Sequence, residues 1–190
     1  AGVEQVLKVQ QHLRSQVIGE GDPVSIEGLA VDAEFFQVFN FPLAKGDIVT
    51  ALADPRAIVL SAEAAGIHFG PMDPMGKTLT LAFSKFTPMG MSEPVHVDLT
   101  VTGVLAPIPT NSSIRPQMLV PFALLDLVPV QSWPALYLVL SEGADPVFIE
   151  STLTTAGRSS RNMPDAEVSM HLLPMRQMHW TTELIMGLAN

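Results

Sequence analysis

Between Val3 and Ile18, Val and Leu alternate with Gln, Lys and His, and the run stops at the turn signal Gly19-Glu-Gly-Asp-Pro23. Val24 to Val31 then puts Val24, Ile26, Leu29 and Val31 on alternating faces, so the two stretches predict an antiparallel hairpin. Phe35, Phe36 and Phe39 recur at helical spacing, which predicts a short helix over Glu34–Phe39 with Asp32 as its N-cap and three rings in the core. Pro42 and Gly46 close that unit. The apolar run Ala57–Leu60 reads as a buried strand, and Ser61 as the cap of a helix over Ala62–Phe69 with Glu63 in its first turn.

Gly70–Gly76 has loop composition, Thr78–Leu81 alternates as a strand, and Ser84–Pro94 reads as a loose hairpin connection. His96–Leu105 carries the clearest strand pattern, with Val97, Leu99, Val101 and Gly103 on one face and Gly103 marking a bulge or a close backbone approach. A loop over Pro107–Pro116 and strands over Met118–Pro121 and Ala135–Leu140 follow. Asp145-Pro146 opens a helix reaching about Arg158, and Val168–Leu173 is expected to be a last strand. Strands, hairpins and short helices in this order predict an α+β fold rather than a doubly wound parallel sheet.

Composition narrows the function. The 190 residues include no Cys, which removes disulfide frameworks, thiolate metal sites and Cys nucleophiles. Ten Lys and Arg stand against 19 Asp and Glu, a net charge of -9 with no basic run, so nucleic acid is not an expected partner. Only 15% of residues are charged and the mean hydropathy is +0.32, a balance that predicts apolar surface facing a partner. The most apolar stretch, Leu119–Val130, is short and broken by Pro121, Asp126 and Pro129, so no membrane span is expected. The start at Ala1 lacks a signal-peptide pattern. Both ends interrupt apolar patterns, which points to a soluble piece of something larger.

Catalytic signals are weak. Gly70–Thr78 ends in Gly-Lys-Thr, but five residues separate Gly70 from Gly76 where a phosphate loop has four, and two prolines remove N–H donors. The five His residues, at 12, 68, 96, 171 and 179, contain no H-x-x-x-H pair for a metal. Ser61 and His68 suggest a hydrolase pair, yet two helical turns hold them roughly 10 Å apart. Asn111-Ser-Ser113 matches a glycosylation sequon and is read as a loop turn. Met72, Met75, Met89 and Met91 fall in connections, where they serve loop packing or an adaptable contact surface.

The ordered set Val31–Phe36 with Phe39, Phe41–Gly46, Ala57–Ser61, Phe69-Gly70, Asp73–Leu79, Val101–Val104, Pro109–Ser113 and Met118–Pro121 resembles the MacB-like periplasmic core domain of FtsX-type ABC-transporter permeases. Leu173-Pro174 with Met178-His179 is similar to the stretch preceding that family's next membrane helix, so 181–190 would begin that connection. The Met- and Pro-rich segment Ser84–Pro94 has no counterpart in the pattern. The resemblance implies two small mixed α/β subdomains: a discontinuous porter-like part, 1–30 with 120–180, and an inserted part, 31–119.

It further implies a non-catalytic domain, without cofactor, on the periplasmic face of the bacterial inner membrane and tethered there by the permease. Through the permease it would couple ATP hydrolysis by a cytoplasmic ATPase subunit to export, lipoprotein release or activation of a partner protein. A periplasmic adaptor or a lipoprotein is the expected partner. The permease is expected to be dimeric and the isolated domain monomeric. The alternative is a free periplasmic module binding an apolar ligand; an enzyme would need a constellation that only folding assembles. No catalytic, cofactor or metal residue is nominated. Loop composition nominates Met89, Met91, Pro109, Asn111 and Ser112 as partner contacts.

Overall fold

The computed structural model describes residues 2–19, 21–84, 86–87, 90–108, 115–160 and 169–175. The strands are β1 (Val3–Ile18), β2 (Val24–Val31), β3 (Leu43–Gly46), β4 (Ala57–Ser61), β5 (Thr78–Phe83), β6 (Phe86–Thr87), β7 (Gly90–Met91), β8 (Val95–Leu105), β9 (Met118–Pro121) and β10 (Ala135–Leu140). The helices are α1 (Phe35–Phe39), α2 (Ala62–Phe69) and α3 (Pro146–Ser160), with a 3-10 turn at Phe122–Asp126. The fold is α+β. The chain packs as two units, Val6–Leu138 and Ala1–Gln5 with Val139–Asn190.

In the larger unit the strand order is β10-β1-β2-β9-β4-β8-β3, and β5 pairs with both β1 and β8. That double pairing closes β1, β2, β9, β4, β8 and β5 into a ring. The pairs β2–β9 and β4–β8 are parallel and the other pairs of the ring antiparallel. The ring's filling takes residues from all of its strands: Leu13 and Val17, Ile26 and Ala30, Ile58 and Leu60, Leu79 and Leu81, Val97 and Leu99, Met118 and Val120. Ala64, Ala65 and Phe69 of α2 and Leu124 of the 3-10 turn join this core. A second core holds Val9, Leu29, Val31, Val59, Leu105 and Leu119 against Phe35, Phe36, Ala51 and Leu52. Phe35 stacks on Phe39 at 4.6 Å and on Phe41 at 5.5 Å between ring centroids.

Two bulges let single strands serve both cores. β1 pairs with β2 as Val9↔Val31 and Gln10↔Ala30, then as Leu13↔Gly28, so Gln11 and His12 together oppose Leu29. His12 takes the left-handed conformation, φ 53°, which suits a bulge and is uncommon for a non-glycine residue. The added residue reverses the pleat: Val9 lies in the second core, whereas Leu13 and Val17, also odd-numbered, lie in the ring. In β8 the register with β4 passes from Val101↔Ile58 to Gly103↔Val59, skipping Thr102. Thr102 Oγ1 donates to the carbonyls of Ala51 at 2.6 Å and Ile58 at 3.3 Å.

Val97, Leu99 and Val101 share a face as expected, and the close backbone approach at Gly103 is also present. Gly103 itself does not share that face. The bulge turns it toward Val59, whose methyls would lie 3.3 and 3.4 Å from an added Cβ.

Asp32 does not cap α1. Its carboxylate accepts from the Lys8 backbone N–H at 2.7 Å, extending the β1–β2 pairing, and Glu34 stands at the N-cap without a side-chain bond. Ser61 does cap α2, accepting from the Ala64 N–H at 3.1 Å. Leu43–Gly46, expected only as a terminating segment, is a strand on β8.

In the smaller unit Asp145 Oδ1 accepts from the Val147 N–H at 2.9 Å and starts α3. The expected strand over Val168–Leu173 is absent where described: residues 169–174 are irregular, and Val168 lies outside the described residues. Side chains of α3 take the donors a strand would have paired, with Met170 N–H on Thr154 Oγ1 at 2.8 Å and Leu172 N–H on Glu150 Oε1 at 2.7 Å. The segment from 181 to 190 also lies outside the described residues.

Deleting His12 removes the phase change, so either Val9 or the pair Leu13 and Val17 must leave its core. A loss of about 4 kcal/mol or more is expected in urea denaturation. Gly28→Ala would set a Cβ 2.0 Å from the Met118 carbonyl oxygen and is expected to cost about 2–4 kcal/mol. Gly66→Ala in α2 meets nothing within 4 Å and should stabilise by about 0.5–1 kcal/mol in the same assay.

Candidate functional site

The bulge in β1 presents polar side chains to both sides of itself. On one side His12 Nδ1 lies 2.8 Å from Glu27 Oε1, and Arg14 Nε donates to Glu27 Oε2 at 2.9 Å. Gln117 fixes the backbone of Glu27, accepting from its N–H through Oε1 at 2.8 Å and donating its own N–H to the Glu27 carbonyl at 3.0 Å. The His12 hydrogen bond, reinforced by Arg14, holds the Glu27 carboxyl below the usual carboxylate range against the opposing effect of burial. The His12 and Arg14 side chains are each 77% exposed.

On the other side the two amides beside the bulge hold down a strap ahead of β10. Gln10 Oε1 accepts from the Trp133 N–H at 2.6 Å and from Ser132 Oγ at 3.2 Å. Gln10 Nε2 donates to the Gln11 carbonyl, and Gln11 Nε2 donates to the Tyr137 hydroxyl at 3.3 Å. The Tyr137 ring meets Phe39 edge-on at 5.0 Å, and burial pushes its phenol up. The Trp133 backbone is thus pinned while its side chain is free: the residue is 77% exposed.

Between these features lies a shallow groove of about 210 Å³, lined by Gln10, His12, Leu13, Arg14, Ser84, Val130 and Gln131. A fixed aromatic residue beside a groove with hydrogen-bond donors suits recognition. The hydrolase and phosphate readings fail on geometry. The Ser61 hydroxyl serves as a helix cap, while His68 lies near the far end of α2, where burial pushes its imidazole down. In the Gly70–Gly76 loop the N–H groups of Gly70, Met72 and Gly76 are bonded to the carbonyls of Gly66, Phe69 and Val101. Asp73, paired with Lys45 at 2.9 Å, accepts from the Met75 N–H. Among the described residues no group of three or more His, Asp or Glu is placed to hold a metal, and no helix is long and apolar enough to cross a membrane.

The model of the MacB-like periplasmic core domain matches residues 1–156. The chain belongs to that family. It is a periplasmic domain of a MacB-like ABC-transporter permease. No curated protein matches it by sequence. The fold recurs in a solved domain described as part of a permease protein of Porphyromonas gingivalis, 20% identical, with a TM-score of 0.60 over 94% of this chain and 79% of that one. It recurs in the periplasmic region of MacB from Actinobacillus actinomycetemcomitans, 15% identical, TM-score 0.59, over 87% and 71% of the two chains. The extracellular domain of the noncanonic ABC-type transporter YknZ from Gram-positive bacteria is 18% identical, TM-score 0.59, over 91% and 82%.

Of the contacts nominated for this MacB-like domain, Met89, Pro109, Asn111 and Ser112 lie outside the described residues, and only the backbone of Met91 is described, in β7. Gln10, Gln11, His12, Arg14, Glu27 and Trp133 were not nominated. Their one signal is the polar triplet Gln10-Gln-His12 between Val9 and Leu13, where strict alternation calls for an apolar residue at 11.

Glu27 titrates at lower pH folded than unfolded, so its contribution to stability is present above the ordinary carboxylate range and is lost as pH falls through the folded value. In urea denaturation Glu27→Gln should be less stable than the wild type by under about 1 kcal/mol near pH 7, because the pair is exposed. That gap should close as pH falls through the folded value, and a gap constant with pH would contradict the ion-pair account.

Proposed function

We propose that this MacB-like domain is non-catalytic and couples ATP hydrolysis by a cytoplasmic ATPase subunit, through a dimeric permease, to an event outside the membrane. Export, lipoprotein release and activation of a partner protein are the forms this output takes. The partner contacted is a periplasmic adaptor or a lipoprotein. The observation that carries the reading is the exposed Trp133, its backbone pinned by Gln10 beside the groove at the β1 bulge. Interface energy concentrates in such aromatic anchors, and fixing the backbone beforehand removes ordering cost at binding.

The loops holding Met89, Met91, Pro109, Asn111 and Ser112 belong to the same proposal as additional partner contacts. So does a two-part domain, with 1–30 and 120–180 forming a porter-like part and 31–119 inserted in it.

The test uses the full-length permease with its ATPase in native membranes. The domain should remain with alkali-washed membranes and be cut by protease added outside spheroplasts. Trp133→Ala should leave membrane assembly and basal ATP hydrolysis unchanged while reducing partner cross-linking at least about tenfold, the loss of one anchor of about 1.4 kcal/mol or more. A domain that washes off would favour the free binding module instead. Unchanged cross-linking would remove Trp133 from the interface.

A further inference from the structure

We infer that the groove beside the β1 bulge receives an extended segment of a partner protein, with a carboxylate side chain against Arg14 and His12 and an apolar side chain on Trp133. The inference rests on the coupling role above and names the chemistry of the partner at that surface. Its first support is a surplus of donors. Arg14 gives only Nε to Glu27 and has five N–H donors in all, and Glu27 engages only Nδ1 of His12. Both residues line the groove, whereas Glu27, which orients their side chains, does not.

The second support is charge. Among the described residues the lining holds Arg14 and His12 and no carboxylate, on a chain whose net charge is -9. A planar guanidinium with free donors favours a carboxylate over a neutral acceptor. The third is size. About 210 Å³ lies below the range for sites of drug-sized ligands and suits one or two side chains of an extended chain. Trp133, 77% exposed and held through its backbone by the groove residue Gln10, provides the apolar contact.

The experiment is an NMR titration of the isotope-labelled chain with acetyl-Ala-Glu-Leu-Pro-amide and with its Gln counterpart. The Glu peptide should shift the Trp133 indole and Arg14 Nε–H signals and bind at least about tenfold more tightly than the Gln peptide. Arg14→Ala should abolish that discrimination, and Trp133→Ala should weaken both peptides alike, with unperturbed amide spectra confirming the fold. Equal binding of the two peptides overturns the inference, as does no shift at about 10 mM, a concentration above which a contact is too weak to matter here. Shifts with chitotetraose and none with either peptide would identify a glycan site instead. Each of these failures leaves the coupling role standing, because that role is read by cross-linking in membranes.

Discussion

Val9 and Leu13 are both odd positions of one strand and would share a face if β1 were regular, yet Val9 packs with Phe35 and Phe36 while Leu13 packs inside the ring. A strand's pleat has a period of two, so only an odd number of added residues can move its apolar set from one face to the other. The bulge at Gln11 and His12 supplies one, and Thr102 supplies the same in β8. Without these two steps β1 and β8 could not close the ring at one end and support the second core at the other. The ring in turn depends on β5, whose pairing with both β1 and β8 leaves that pair of strands no free edge there.

The surface at the bulge follows from the same step. A bulged residue leaves the ladder, so its side chain and backbone become available for other partners. Gln10 and Gln11 hold the strap, and His12, in a left-handed conformation that costs of order 1 kcal/mol, places its imidazole against Glu27. One exposed ion pair, worth about 0–1 kcal/mol, does not by itself offset that strain. Burial of Val9, Leu13 and Val17 is worth about 1.5–3 kcal/mol each and decides the balance.

Local signals were legible wherever one period ran unbroken. The Phe35–Phe39 face, the Val97–Val101 alternation, the Ser61 cap and the Asp145-Pro146 helix start all rest on contacts within a few residues. Ring closure was not legible, because Gln16 meets Ala82 across a separation that no local pattern encodes. The bulge was hidden because His12, not Gly, occupies the left-handed position. Asp32 looked like a cap, but Lys8, distant in sequence, claims its carboxylate. The strand expected over Val168–Leu173 has the right composition, yet Thr154 and Glu150 compete for its N–H groups. Family membership was readable from the ordered motifs between 31 and 121, which report ancestry; the residues of the groove lie outside most of them.

The location of the strap ties Trp133 to the same constraint on register. A pull on Trp133 reaches β1 through a hydrogen bond from its own backbone to Gln10, immediately before the bulge. For β1 to yield by sliding, its register would have to change by one residue, which would expose Val9 or Leu13 and unpair the ring. A two-residue slide keeps the phase but moves the bulge away from Leu29 and Gly28, where a Cβ already has no room beside Met118. Packed cores respond to load in discrete rearrangements rather than by gradual deformation. Both sliding modes of β1 are therefore closed by its phase, and the register of the strand beside the strap is fixed.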